Sequence, residues 1–209
     1  MIELFFMVMS FVVTVIAYIV RGFVTLLVTV PQYIGATLGY ALYCMIIYSV
    51  YNVNLPWYIW ILGIIPTLLI TKVCTIFKYT HRGIMFFAAS SIAYTIYYLS
   101  ELIPWPSSII RLVILVVAEI GFCVYTYFLS DIAVDDRNNP FTLILSSVLF
   151  ALGNAFIVSG FFEVLYNVDD AYKYIIVISI ILAIVEAIIS FMASRVISYT
   201  DVSEVEAEL

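Results

Sequence analysis

Residues 174–199 read YIIVISIILAIVEAIISFMASRVISY, an apolar run in which Glu186 and Arg195 are the charged positions. About 20 apolar residues at 1.5 Å each cross a bilayer core about 30 Å thick, so this stretch reads as a membrane span. Its internal order is informative. Ser179, Ala183, Glu186, Ser190 and Ala193 follow 4-3-4-3 spacing and share one helical stripe, while Ile180, Ile181, Ile184, Ile188 and Phe191 take the other faces. Small and polar side chains suit contact with other helices or a wet cavity, and isoleucines suit lipid.

The rest of the chain repeats the pattern. Comparable apolar segments run over 2–20, 23–51, 57–77, 84–102, 109–129 and 141–165. Turn chemistry separates them: Arg21-Gly22, Asn52-Val53-Asn54-Leu55-Pro56, His81-Arg82-Gly83, Ile103-Pro104-Trp105-Pro106-Ser107-Ser108, the polar residues 130–140, and 166–173. The first turn falls either at Arg21-Gly22 or at Pro31, and both choices cross the membrane twice before Asn52. The expected fold is an all-α, polytopic bundle of seven transmembrane spans, with the N-terminus outside and the C-terminus inside. Residues 1–199 form a single transmembrane domain, and 200–209 form a short acidic cytoplasmic tail. Composition agrees, since 66% of the 209 residues are hydrophobic and 11% charged, against about 45–50% and about 25% in soluble domains.

Orientation follows from the basic residues. Arg21, Lys72, Lys78, Arg82, Arg137 and Arg195 fall at the cytoplasmic edge in this arrangement, and Arg111 and Lys173 at the outer edge. Trp57, Trp60 and Trp105 then lie at or near the outer interface.

Composition also excludes function classes. Eight scattered Lys and Arg against a net charge of −6 leave no basic stripe for nucleic acid. The single histidine, His81, cannot supply a bis-imidazole haem or a histidine metal cluster, and it reads as an interfacial loop residue. Cys44, Cys74 and Cys123 are dispersed and read as small apolar filler. The last span has no lysine for a retinal Schiff base, so a rhodopsin is ruled out. Pro31-Gln32 and Thr37-Leu38-Gly39-Tyr40 each occur once, without the surroundings that would assign a family.

Two sets of residues carry the remaining expectations. Gly35 and Gly39 form a GxxxG strip that lets another helix backbone approach closely. Glu119, Asn154 and Glu186 lie near the centres of their spans, where an ionisable group costs roughly 2.5–3.5 kcal/mol on the insertion scale and should face the bundle interior. Ser90 and Ser91 add hydroxyls at similar depth, and no Lys or Arg lies at the centre of a span. Such a layer suits binding of a proton, a cation or a cationic solute. The expected function is therefore a small transporter or channel-like protein. The alternative is a non-catalytic structural subunit of a larger membrane complex. No catalytic residue set, metal site or cofactor is expected, so the chain is read as not an enzyme. The partners it allows are the lipid bilayer and a second copy or other membrane subunits, and not nucleic acid.

Overall fold

The computed structural model describes the backbone of residues 2–104, 107–129, 140–166, 168 and 170–207. It describes their side chains except at 2–8, 11, 24–28, 122–123, 125–129, 140 and 193–207. The polar stretch 130–139 with Arg137, and Trp105, therefore lie outside the described residues. The side chains of Cys123, Ala193, Arg195 and the acidic tail do so as well.

The fold is all-helical. In chain order the helices are α1 (Ile2–Tyr51), α2 (Trp57–Leu62), α3 (Ile64–Cys74), α4 (Lys78–Leu99), α5 (Ser108–Leu129), α6 (Pro140–Leu165) and α7 (Ile175–Ala207). Among the described residues five stretches are long and apolar enough to cross a membrane: Thr29–Tyr51, Trp57–Cys74, Lys78–Leu102, Phe141–Leu165 and Ala171–Met192. The chain thus has the architecture of a multi-pass membrane protein.

Three expected boundaries are corrected. The first 51 residues contain no break at Arg21-Gly22 or at Pro31, because α1 is continuous over 50 residues with Pro31 inside it. Gly22 does not leave the helical region, since no described glycine has positive φ. A glycine that ends a helix commonly adopts the left-handed conformation. Pro31 removes one intrahelical bond, to the carbonyl of Leu27, which an apolar helix tolerates. Second, His81-Arg82-Gly83 is not a loop but the first turn of α4, where His81 N–H donates to the Phe77 carbonyl at 2.8 Å. His81 is accordingly buried at 9% exposure, and the neighbouring Thr80 hydroxyl caps the Cys74 carbonyl at 2.8 Å. Third, residues 200–207 continue α7 as helix.

The span Trp57–Cys74 is interrupted at Gly63, between α2 and α3. Pro66 has no N–H for the carbonyl four residues back, at Leu62, and the ladder yields there. The Tyr40 hydroxyl of α1 seats itself against Gly63 and donates to the Ile59 carbonyl at 2.6 Å.

Packing centres on α4, which contacts α1, α5 and α6, while α7 packs on α6. Small residues make this crowding feasible, with Ala88, Ala89, Ser90, Ser91 and Ala93 of α4 all buried. Gly83 serves packing as well. A Cβ there would lie 3.1 Å from the Ser146 backbone of α6, so a residue that reads as a turn former is a contact point between helices. Phe156 of α6 fills the centre, 5.0 Å from the Tyr43 ring and 5.1 Å from the Tyr94 ring.

Candidate functional site

Gly35 and Gly39 face α4. A Cβ on Gly35 would meet the carbonyl of Ala88 and come within 2.7 Å of its Cβ, and one on Gly39 would meet Phe87 and the Ser91 hydroxyl. The glycine strip therefore packs within the chain.

Ser90 of α4, fully buried, is the hub of the polar residues. Its Oγ lies 2.9 Å from Oε1 of Glu119 on α5 and 2.9 Å from the Phe86 carbonyl. A serine hydroxyl has one proton to give. The Ser90 hydroxyl thus donates toward two acceptors, the Glu119 carboxylate and the Phe86 carbonyl, and serves one of them at a time. Glu119 is buried, at 7% exposure.

On the α6 side of Ser90 stands Gly153, where a Cβ would lie 2.9 Å from the same Oγ. The next residue, Asn154, donates from Nδ2 to Oε1 of Glu186 on α7 at 2.9 Å. Glu119, Ser90, Gly153-Asn154 and Glu186 thus follow one another across α5, α4, α6 and α7. The structure brings Asn154 and Glu186 together. It does not join Glu119 directly to either, because Glu119 occupies the α4–α5 interface and Glu186 the α6–α7 interface. The arrangement is a belt of pairs and not one converging pocket.

The stripe on α7 faces inward. Ser179 shares a 2.8 Å hydrogen bond with the Tyr43 hydroxyl, which also reaches the Leu152 carbonyl at 2.9 Å. Ser190 pairs with Ser147 of α6 at 2.7 Å. Ile180, Ile181, Ile184, Ile188 and Phe191 are all at least half exposed, as lipid-facing residues should be.

Sequence reasoning missed a second polar group, at the end of the bundle where α4 and α6 finish. Arg111 of α5 pairs with Glu101, lies 3.5 Å from Glu163 of α6, and stacks 4.5 Å above the Tyr97 ring. The available signal was depth alone: a charge at the end of α4, one at the start of α5 and one at the end of α6. Cys74 and His81, seven residues apart, are both buried. Among the described residues no group of three His, Cys, Asp or Glu is placed to hold a metal ion.

Comparison with protein-family models, with curated proteins and with solved structures finds no match to this chain.

Proposed function

We propose that the protein is a small integral membrane transporter or channel-like protein, not an enzyme, whose polar belt handles a proton, a cation or a cationic solute. The observation that carries this reading is the Asn154–Glu186 hydrogen bond, which sets a half-buried acid against a neutral amide donor deep in an apolar bundle. A structural carboxylate is most often matched to a cation. One matched to an amide keeps its capacity to take up and release a positive charge. The Glu119–Ser90 pair supports the same chemistry, since the hydroxyl can accept or donate as the acid gains or loses its proton.

The experiment is reconstitution of the purified protein in liposomes, with proton and monovalent-cation flux followed by entrapped dyes. Flux that rises with a cation gradient and disappears in Glu186→Gln supports the reading, and absence of flux under every gradient overturns it.

In a bilayer we propose seven crossings, with the N-terminus outside, residues 52–56 outside and the C-terminus cytoplasmic. The support is the grouping of Lys72, Lys78 and Arg82 at one end of the bundle and Arg111 and Lys173 at the other. Continuous α1 would be roughly 75 Å long, against a bilayer core of about 30 Å. A bend at Gly22 or Pro31 would return its apolar N-terminal residues to lipid.

One observation favours a second reading. Val13, Ile16, Ile19, Val20 and Phe23 of α1 are all more than half exposed. A subunit of a larger membrane complex would bury such a segment against a partner. Purification in a mild detergent separates the two readings by whether the chain emerges alone or with companions.

A further inference from the structure

A cavity of about 680 Å³ opens between α1, α4, the end of α6 and the turn before α7. It is separate from the polar belt, and its volume lies within the roughly 300–1,000 Å³ usual for small-molecule sites. Its wall changes character along its length. One end is formed by Leu38, Ala41, Leu42, Met45 and Ile46 of α1. The other end carries the carboxylates of Glu101, Glu163 and Asp170 and the rings of Tyr94, Tyr98 and Tyr172. On α1 the lining runs from Leu38 to Ser49, roughly 16 Å at 1.5 Å per residue.

The charges at the polar end do not balance. Among the described residues, Glu101 and Glu163 share Arg111 and Asp170 pairs with Lys173, so three acids face two cations. Neither Arg111 nor Lys173 lines the cavity, so carboxylates and aromatic faces meet whatever enters. Tyrosine rings attract cations through their negative faces, and two rings here already do so, Tyr97 under Arg111 and Tyr172 near Lys173.

We propose that this cavity binds one amphiphile with a positively charged ammonium head and an alkyl chain. The head would sit among Glu101, Glu163, Asp170 and the tyrosines, and the chain would lie along Leu38–Ile46. A free ion would leave the apolar end empty, and a neutral or anionic amphiphile would leave the excess carboxylate unmatched. The proposal does not depend on transport, since it concerns occupancy of a site.

The test uses the full-length protein held in digitonin, whose steroid body offers no alkyl chain to compete. Binding of radiolabelled decyltrimethylammonium is measured by equilibrium dialysis, with decyl sulfate, decyl maltoside and tetramethylammonium as competitors. One saturable site per chain is expected, with displacement by the sulfate and the maltoside at least tenfold weaker than by unlabelled ligand. Tetramethylammonium should compete, but at much higher concentration. Glu163→Gln should weaken binding by about fivefold or more, as loss of a partly buried charge partner does. Ala41→Trp, which fills the apolar end, should abolish decyltrimethylammonium binding. If Glu163→Gln fails to fold, Asp170→Asn decides, because Asp170 is exposed at φ 63°, a conformation asparagine adopts readily. Equal displacement by all three decyl compounds would reduce the cavity to a greasy crevice and end the proposal. No saturable binding, or binding indifferent to both carboxylate variants, would end it too.

Discussion

Asn154 offers its amide N–H to Oε1 of Glu186 at 2.9 Å, and a glutamine at 186 would accept the same bond through its carbonyl oxygen. Glu186→Gln should therefore unfold within a few degrees of wild type in a detergent melt while ion flux falls to background. Equal flux in the two proteins would leave Glu186 as mere interhelical glue. Glu119 yields a different prediction, because Ser90 has a single proton for two acceptors. A glutamine at 119 can accept from the Ser90 hydroxyl through its carbonyl oxygen, so Glu119→Gln should change stability by less than about 1 kcal/mol. Ser90→Ala removes the hydroxyl that donates to Oε1 of that buried acid and should cost about 1–3 kcal/mol. A glutamine variant that melts far below Ser90→Ala would show that Glu119 does more for the fold than accept this one bond. At this scale the sequence makes depth legible, because an acid inside an apolar run is conspicuous. Azimuth between helices is not legible. Ser90 and Glu119 are 29 residues apart and Arg111 and Glu163 are 52 apart, and no local pattern links such pairs.

Close contact between α1 and α4 requires the bare backbone of Gly35 and Gly39, since even a single Cβ would collide with Ala88 or with Phe87 and Ser91. Gly35→Ile and Gly39→Ile should each destabilise the protein by about 1–3 kcal/mol, the usual range for overpacking, read as an earlier loss of the monodisperse peak on heating in detergent. Gly22→Ala is the internal control. A Cβ there meets nothing within 4 Å, and alanine is the better helix former, so that change should be neutral or slightly stabilising. Unchanged melting in both isoleucine variants would mean that α1 and α4 do not pack through this strip. Five apolar stretches are legible from their length, and the α7 stripe from its spacing. Gly22 and Gly83 mislead because glycine serves both turns and packing, and sequence alone does not say which. Gly83 lies against Ser146 and Gly22 stays helical, so neither ends an element. Asn52, by contrast, does end α1, and at φ 50° it adopts the left-handed conformation that asparagine tolerates.

The whole molecule poses one question that its helices do not answer individually, namely where the N-terminal part of α1 goes. Residues 12–23 form an apolar helix whose described side chains are exposed along its whole length. Apolar surface left in water costs about 25 cal/mol per Å², so a straight α1 projecting tens of ångströms beyond a bilayer would be strongly disfavoured. Lipid or a partner protein must cover the segment. Bending at Pro31 disturbs least, because the bond to Leu27 is already missing there, and bending at Gly22 displaces no neighbour. A bent α1 crosses twice and leaves the N-terminus outside. A straight one leaves it on the cytoplasmic side, opposite residues 52–56. Cysteine labelling with a membrane-impermeant maleimide separates the two forms, after Cys44, Cys74 and Cys123 are replaced by serine or alanine. Single cysteines at Ser10, Asn54 and Ser203 then report the N-terminal segment, the first loop and the C-terminal end. Labelling from outside is expected at Asn54 and not at Ser203, as the positions of Lys72, Lys78 and Arg82 require. Under seven crossings, external labelling of a cysteine fused just before Met1 should match that at Asn54, while Ser10 stays shielded within the first span. Protection of the fused N-terminal cysteine with labelling at Asn54 would reduce the crossings to six, and external labelling at Ser203 would reverse the orientation.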